Sequence, residues 1–274
     1  MKVVFFSESQ INGKVPRDFS NARTEYAWMM ALDAPHYNIN NIPNEKFDLG
    51  IVIVPKNNPN VNLDLLRVCC DKVAVMQEGP HWYFQDYSVS QQFHYFNLLM
   101  SADWVYCHNE SDVQYFLGLG CKDIRVMRSL MIPEGLSPQT ERGNGTIIGG
   151  NFVSWYGGFD SFMVAMNLND SITAPSMGRK QNEEKLIEEI NYLPYLSWRD
   201  WITELGKYNV GIHLMRTHAA GTFAMNCAFH EIPCIGYKGL DTQETLHPLT
   251  TVDVGDLNTA NIIAKKLKND DKFY

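Results

Sequence analysis

The stretch Val210–Tyr237 has the sequence VGIHLMRTHAAGTFAMNCAFHEIPCIGY, which combines the signals of a strand, a turn, a helix and a second strand. An apolar run of strand length, 210–215, precedes a turn of small residues, and Thr222 is placed to cap a helix. The residues that follow recur at helical spacing until Pro233, which ends the helix. The pattern predicts that 234–237 forms the next parallel strand.

A strand that enters such a turn and continues into a helix can form an anion site. Bare N–H groups and the positive end of the helix dipole meet there, where the backbone can approach a ligand closely. Arg216 and His218 lie just before the turn and can add charge-assisted hydrogen bonds. The same pattern is also that of an ordinary β-α-β unit with nothing bound, and local features do not separate the two.

The composition indicates one large or two small globular domains. The 274 residues are 45% hydrophobic and 20% charged, which is enough apolar material to bury a core. The apolar run at Val3–Phe6 is too short for a signal peptide, and no stretch has the ~20 apolar residues of a membrane helix. The six cysteines form no C-x-x-C pair, which predicts reduced thiols in the cytoplasm. The net charge of −8 argues against broad adhesion to nucleic acid or anionic membrane.

Apolar runs of strand length alternate with helical patterns along both halves of the chain. This alternation predicts an α/β fold with a doubly wound parallel sheet in each half. A segment rich in Pro, Gly and charge follows residue 133 and predicts a linker between an N-terminal domain, 1–133, and a C-terminal domain, 146–274. Ligands are expected in a crevice at the carboxyl ends of the strands. Strands are predicted at 2–6, 49–54, 73–76, 104–107, 124–127, 146–149, 171–174, 210–215 and 234–237, and helices from 24 and at 63–70, 93–100, 111–117, 162–166, 183–190, 198–206 and 262–267.

The motifs of several common α/β proteins are absent from the sequence. No G-x-G-x-x-G follows the first strand, which argues against a dinucleotide oxidoreductase, and no G-x-x-x-x-G-K-[ST] supports a P-loop nucleotidase. No His or Cys cluster has the spacing of a metal site. After these exclusions, the remaining features are two α/β halves and a phosphate-type turn in the second half.

The C-terminal half resembles the GT-B glycosyltransferases, in particular the retaining type that uses nucleotide-sugar donors. The resemblance is carried by Ile147–Asp160 (IIGGNFVSWYGGFD), Tyr192–His213 (YLPYLSWRDWITELGKYNVGIH) and Thr222–Gly236. In that family two glutamates, eight positions apart, flank the turn and contact the sugar and the ribose of the nucleotide. His218 and Asn226 hold those places here, a departure that keeps hydrogen-bonding ability but removes both charges.

The N-terminal half resembles the short glycosyltransferases of T4-like bacteriophages. The resemblance is carried by the segments Asn21–Leu32 (NARTEYAWMMAL), Met76–Tyr87 (MQEGPHWYFQDY) and Ser101–Asp112 (SADWVYCHNESD). The resemblance implies two Rossmann-like domains facing across a cleft and a uridine diphosphate (UDP) sugar as donor. It further implies 5-hydroxymethylcytosine in phage DNA as acceptor, no metal cofactor, and a monomer in the host cytoplasm.

The candidate site residues fall into three groups. An acceptor hydroxyl needs a group that orients or deprotonates it, and the leaving diphosphate needs positive partners. The catalytic candidates are Glu78, His81 and Asp86; the donor-binding candidates are Gly150, Asn151, Arg179, Tyr195, Leu196, Arg216, His218, Gly221, Thr222 and Asn226; and the acceptor-binding candidates are the basic residues Lys14, Arg17 and Arg23.

Several alternatives remain open at this point. Glu78 can equally be a turn carboxylate, and the basic cluster can simply be solvated. His81, next to Trp82, fits a packed side chain better than a catalytic one. The acceptor can be a glycan or a small molecule instead of DNA. With His218 and Asn226 in place of glutamates, the chain can also be a non-catalytic nucleotide-sugar-binding module. A flavodoxin-like signalling protein is a third class, which the two halves and the phosphate turn disfavour.

Overall fold

The computed structural model describes residues 1–22, 24–55, 59–77, 79–150, 152–153, 155–168, 170–175 and 187–274. The chain forms two compact units. The first unit comprises Met1–Ile132 together with the short segment His218–Ala220, and the second comprises Pro133–Thr217 and Gly221–Tyr274. None of the helices formed by the described residues is long and apolar enough to cross a membrane.

The first unit is built on a sheet to which seven strands of the described residues contribute, in the order β2-β3-β1-β4-β5-β6-β7. All neighbours are parallel except β2, which runs antiparallel to β3. The strands are β1 (Val3–Ser7), β2 (Gly13–Lys14), β3 (Pro35–Asn38), β4 (Phe47–Ile53), β5 (Cys70–Met76), β6 (Trp104–Cys107) and β7 (Ile124–Val126). The helices are α1 (Thr24–Ala31), α2 (Leu63–Leu66), α3 (Val89–Ser101) and α4 (Glu110–Leu119), with a short 3₁₀ helix at Tyr83–Asp86.

The second unit has a fully parallel sheet, with strands of the described residues in the order β10-β9-β8-β11-β12-β13. The strands are β8 (Thr146–Ile148), β9 (Ile172–Ala174), β10 (Ile190–Tyr192), β11 (Val210–His213), β12 (Cys234–Tyr237) and β13 (Thr251–Val252). The helices are α5 (Gly158–Met166), α6 (Trp198–Leu205), α7 (Thr222–Phe229), α8 (Asp241–Leu246) and α9 (Leu257–Asn269), with a 3₁₀ turn at Pro248–Thr250.

Continuous apolar runs became the central strands, as predicted. Every residue of β1 and of β11 is buried, which is the pattern of a parallel strand covered on both faces. The apolar face of α9 supplies Ala260, Ile263 and Leu267 to the core of the second unit. The mixed α/β architecture with largely parallel sheets confirms the predicted fold class.

Two helix predictions extended into residues that form strands. The helix predicted at 63–70 ends at Leu66, because Cys70 begins β5 and pairs with Phe47 of the neighbouring strand. Of the helix predicted at 183–190, residues 183–186 lie outside the described part of the chain. Residues 187–189 are not helical, and Ile190 begins the edge strand β10 by pairing with Ile172.

Candidate functional site

The order of the second sheet reverses between β8 and β11, the place where open parallel sheets bind ligands. Gly149 follows β8 there, and its N–H donates to the carbonyl of Ile212 over 2.8 Å. A Cβ on Gly149 would lie 2.7 Å from the Cγ atoms of His213 and Phe223. A Cβ on Gly150 would collide with the carbonyl oxygen of Tyr156, so only glycine fits at either position. The backbone itself therefore forms this edge.

Helices α5 and α7 follow β8 and β11 and begin in the same way. Their N-cap residues, Gly157 (φ 63°) and Gly221 (φ 65°), are left-handed and have no side chain that could cap the helix. The prediction that Thr222 caps α7 was wrong, because Thr222 is the first helical residue. The N-cap is Gly221, whose left-handed conformation is one that glycine adopts without strain. Helix ends without a side-chain cap direct N–H groups and the positive dipole end outward, which suits an anion.

Arg216, a predicted diphosphate partner, is held by Asp160 of the first turn of α5. Its Nε and Nη2 donate to Asp160 Oδ2 over 3.1 and 2.7 Å. The Asp160 side chain is 10% exposed and the guanidinium side chain 53%, so the carboxylate anchors a cation that a ligand can still reach. The hydroxyl of Tyr237 donates to the same Oδ2 over 3.2 Å, and burial, aided by the Asp160 charge, raises the pKa of Tyr237 to about 12.

Two buried polar atoms near this edge have no hydrogen-bond partner among the described residues. They are Nε2 of His213, at the end of β11, and Oδ1 of Asn226, on α7. Burial lowers the pKa of His213 to about 4, which keeps the imidazole neutral. Because buried polar atoms are normally paired, both atoms are candidates for contact with a ligand or with water.

The carboxyl edge of the first sheet carries a cluster of charged and titratable side chains, which we call the His–Asp–His cluster (His81, Asp112 and His218). Oδ1 of Asp112 lies 3.2 Å from Nδ1 of His81 and 3.1 Å from Nδ1 of His218. The carboxylate is 5% exposed, whereas the imidazoles are 21% and 29% exposed. Burial opposes ionisation of Asp112, but hydrogen bonds from His218, His81 and Asn109 outweigh it and lower its pKa to about 2.

The neighbouring strands β5 and β6 position this cluster. His81 lies in the loop after β5, and Asp112 lies in the first turn of α4, directly after β6. The buried Gln77 stiffens the loop by donating to the Pro80 carbonyl over 2.6 Å, and the His81 ring packs on Tyr115 at 4.1 Å between centroids.

Asn109 joins the segment that carries His218 to the start of α4. Its Nδ2 donates to Oδ2 of Asp112 over 3.2 Å and to the carbonyl of Ala219 over 3.0 Å. The carboxylate and the His218 segment are thus held by the same amide.

One of the predicted acceptor-binding residues, Lys14, lies elsewhere than expected. The loop after β1 does open at the carboxyl edge, but β2 runs back antiparallel to β3 and pairs Lys14 with Pro35, the first residue of β3. Lys14 therefore lies at the amino edge, in an ion pair with Asp33. Arg17 is close enough to help Lys14 lower the pKa of Asp33. Their role in binding an acceptor stays a prediction, but the expectation that Lys14 lies at the ligand edge was wrong.

The structure describes some of the other predicted site residues, and the rest lie outside the described part of the chain. Asp86 is exposed at the end of the 3₁₀ helix and is not a member of the His–Asp–His cluster. Tyr195 and Leu196 lie in the loop after the carboxyl end of β10, and the Tyr195 side chain is exposed. The predictions for Glu78, Asn151, Arg179 (with its neighbour Lys180) and Arg23 lie outside the described residues.

Sequence reasoning missed three residues of these edges, namely Asp112, Asp160 and His213. Asp112 and Asp160 both lie in the first turn of a helix that follows a strand, where acidic residues complement the helix dipole. That position was the available signal, although it is equally typical of a purely structural carboxylate. His213 ends an apolar run and had no signal of its own.

No protein-family model matches the sequence, and no curated protein shows significant similarity to it. Solved structures do share its fold. HepE of Anabaena, solved in complex with UDP, is 12% identical, with 100% of this chain and 92% of that chain covered and a TM-score of 0.67. Sucrose-phosphate synthase from Thermosynechococcus elongatus is 12% identical, with 98% and 90% covered and a TM-score of 0.66.

WaaG, a glycosyltransferase involved in lipopolysaccharide biosynthesis, is 10% identical, with 99% of this chain and 91% of that chain covered and a TM-score of 0.61. The neighbours are GT-B glycosyltransferases, so this chain shares its fold with that class, as the resemblance implied. Likeness at such low identity establishes the fold alone. The finer resemblance, to the enzymes of T4-like bacteriophages, stays a prediction.

Proposed function

We propose that the protein is a glycosyltransferase that moves a sugar from a UDP sugar to an acceptor hydroxyl. The observation that carries the proposal is the carboxyl edge of the second sheet. Two helices begin there at left-handed glycines, beside the Asp160-anchored Arg216. Support also comes from the shared fold, since HepE was solved in complex with UDP.

The donor diphosphate is proposed to bind at the first turns of α5 and α7. Their N–H groups and dipoles favour negative charge, and Arg216 adds a full positive charge that Asp160 keeps in place. In the transfer, the bond between the anomeric carbon and the diphosphate breaks, and a bond to the acceptor oxygen forms. The groups that bind UDP stabilise the charge that develops on the leaving diphosphate.

The acceptor proton is proposed to pass to His81. With Nδ1–H donating to Asp112, Nε2 of His81 is the atom that remains to accept a proton. Asp112 then stabilises the imidazolium that forms. Glu78 is the second candidate for this role, and a retaining outcome rests on the resemblance. Transfer is proposed to need no metal, because the leaving diphosphate is matched by helix ends and Arg216; a chelator should leave turnover unchanged.

Thermal shift with a panel of nucleotides tests donor binding directly. At a hundredfold excess over Kd, a UDP sugar should stabilise the second unit by about 2.7 kcal/mol. That corresponds to a rise of roughly 2–4 °C for each kcal/mol in a domain of this size. Arg216→Ala should weaken binding by about 1.5–3 kcal/mol. A panel in which no nucleotide or nucleotide sugar shifts the melting curve would refute the proposal.

The acceptor is proposed to be 5-hydroxymethylcytosine in DNA, which would place the enzyme in the host cytoplasm. Support comes from the resemblance of the first half to phage enzymes. A base inside a duplex is out of reach, so the enzyme would have to flip it out of the stack. With a net charge of −8, affinity for DNA should be modest and should fall with salt.

Mass spectrometry after incubation with a panel of UDP sugars tests the acceptor. Added pentose or hexose on hydroxymethylated DNA, with plain DNA as the matched control, is the expected result. Transfer to a glycan or small molecule, with the DNA untouched, would overturn the acceptor and keep the glycosyltransferase. Donor binding with neither donor hydrolysis nor transfer would favour a non-catalytic binding module.

A further inference from the structure

The His–Asp–His cluster has the geometry of a cation site. Its three residues each offer one ligand atom, and these atoms all lie within 4.8 Å of one another. All three belong to the first unit, because His218–Ala220 is part of it. The sequence positions are far apart, so no spacing motif in the chain pointed to this group.

Two of the three distances within the cluster match those between the ligands of a small cation. Neighbouring ligands around a tetrahedral ion with bonds of 2.0–2.1 Å are about 3.4 Å apart. The Asp112 Oδ1 atom lies 3.2 Å and 3.1 Å from the two Nδ1 atoms, so a cation could replace the two N–H protons with little movement of the carboxylate. The two imidazoles, which are partly exposed, must come somewhat closer to each other to bind the same cation.

The surroundings hold the ligands in place. Asn109 donates to Oδ2 of Asp112, which leaves Oδ1 directed at both imidazoles, and Tyr115 packs against the His81 ring. Hydrogen bonds of this kind orient metal-bound carboxylates and imidazoles in known sites. The positive end of α4 opposes a cation, but it carries only a fraction of a charge. The carboxylate of Asp112, in the first turn of the same helix, offers a full negative charge beside that end.

The ligand types select the class of cation. Two imidazole nitrogens and one carboxylate suit Zn²⁺ or Co²⁺, whereas Mg²⁺ and Ca²⁺ prefer all-oxygen sites. Three protein ligands would leave one position for water or a substrate atom. We propose that His81, Asp112 and His218 bind a divalent transition-metal cation of this class. The cation would take the Nδ1 atoms that now donate to Asp112, so it would compete with the proposed transfer chemistry.

Titration with Co²⁺ in the absence of any donor tests the site, and its outcome does not depend on glycosyltransferase activity. The expected result is one bound equivalent with the visible absorption of a low-coordinate Co²⁺ ion. Asn109→Ala should weaken binding by about 10–100-fold, the effect typical of a group that orients a ligand. Asp112→Asn and His81→Asn each remove a ligand or its charge and should weaken binding by more.

His94→Asn is the matched control, because His94 is exposed on α3 and is not part of the cluster. It should bind Co²⁺ as the wild type does. Circular dichroism without metal shows which variants are folded, and His81→Asn tests the site even if Asp112→Asn unfolds. Absence of Co²⁺ binding by the wild type would overturn the proposal. So would binding that His81→Asn leaves unchanged, or a thiolate charge-transfer band, which would place the ion at a cysteine.

Discussion

The carboxyl edges of the two sheets differ in what they are made of. The edge of the first sheet presents side chains: a buried carboxylate that holds two imidazoles. The edge of the second presents backbone: glycines pressed against neighbouring atoms, and two helix ends without side-chain caps. Side chains can exchange protons, whereas backbone N–H groups only bind. Under the proposed function, proton transfer is therefore expected at the first edge and anion binding at the second.

The largest expected effect comes from removing the proton acceptor at the first edge. His81→Asn should lower turnover by about 10²–10⁴-fold, the range for general acid–base assistance, with donor affinity nearly unchanged. Steady-state kinetics and donor binding measured on the same preparation check this. His94→Asn is the matched control, because His94 is exposed on α3 and lies outside the cluster.

Full turnover in His81→Asn would contradict the assignment of chemistry to His81. Glu78→Gln would then be the decisive variant, since Glu78 is the other candidate that follows the same strand. If both variants keep full turnover, proton transfer does not take place at the first edge. The side chains at that edge would then not explain the chemistry.

The second prediction tests the backbone-built edge. A Cβ on Gly157, which has φ 63°, would collide with the carbonyl oxygen of Leu214. Gly157→Ala should therefore lower the free energy of unfolding by about 2–4 kcal/mol, from left-handed strain plus the steric clash. Urea denaturation followed by tryptophan fluorescence measures it.

Gly120 at the end of α4 is the matched control for that variant. It also has a positive φ, 98°, but a Cβ there would meet nothing within 4 Å. Gly120→Ala should therefore cost only about 1 kcal/mol, from the backbone conformation alone. Equal losses in the two variants would mean that close packing at the second edge adds nothing beyond glycine's conformational freedom.

The third prediction concerns pH and the buried His213. Its pKa is 6.5 in an unperturbed chain and about 4 in the fold. Between these values the unfolded chain binds a proton that the folded chain does not, so stability falls as pH falls from 6.5 to 4. The full loss is on the order of 3 kcal/mol, and His213→Gln should remove it.

Urea midpoints of the wild type and of His213→Gln at pH 6.5 and pH 4 check this. His94→Gln, the same substitution at an exposed position on α3, is the matched control. If His213→Gln has the wild-type pH dependence, the imidazole is not buried neutral, and the orphaned Nε2 at the second edge has another explanation.

The sequence predicted the central strands well but missed most of the strands at the edges of the sheets, β7 being the exception. β1, β5 and β12 are apolar runs whose burial decides their structure, so a local pattern sufficed. β3, with the sequence PHYN, has no such pattern and exists because β1 offers it a partner. A strand as short as β2 leaves no signal, which is why Lys14 was expected at the wrong edge.

The candidate site residues could be predicted only where they lie close together in the sequence. The turn at Gly221 and the nearby Arg216 were found because both lie in a single β-turn-α stretch. The contact of Asp112 with His81 spans 31 positions and depends on β5 and β6 being neighbours. Its contact with His218 spans 106 positions. The spacing of residues in a single sequence cannot show such long-range contacts, because the tertiary structure creates them.

The smallest expected effect shows whether DNA binds at the carboxyl edge or at the amino edge of the first sheet. Arg128 follows β7 at the carboxyl edge, in an ion pair with Glu110 at 2.9 Å, whereas Lys14 lies at the amino edge. If hydroxymethylated DNA binds at the carboxyl edge, Arg128→Ala should reduce the slope of log affinity against log salt by about 1. Lys14→Ala should leave that slope unchanged. Fluorescence anisotropy with a labelled duplex over a range of salt concentrations measures both. A reduced slope in Lys14→Ala alone would move the DNA to the amino edge, away from His81, and would contradict transfer to that DNA by the His–Asp–His cluster.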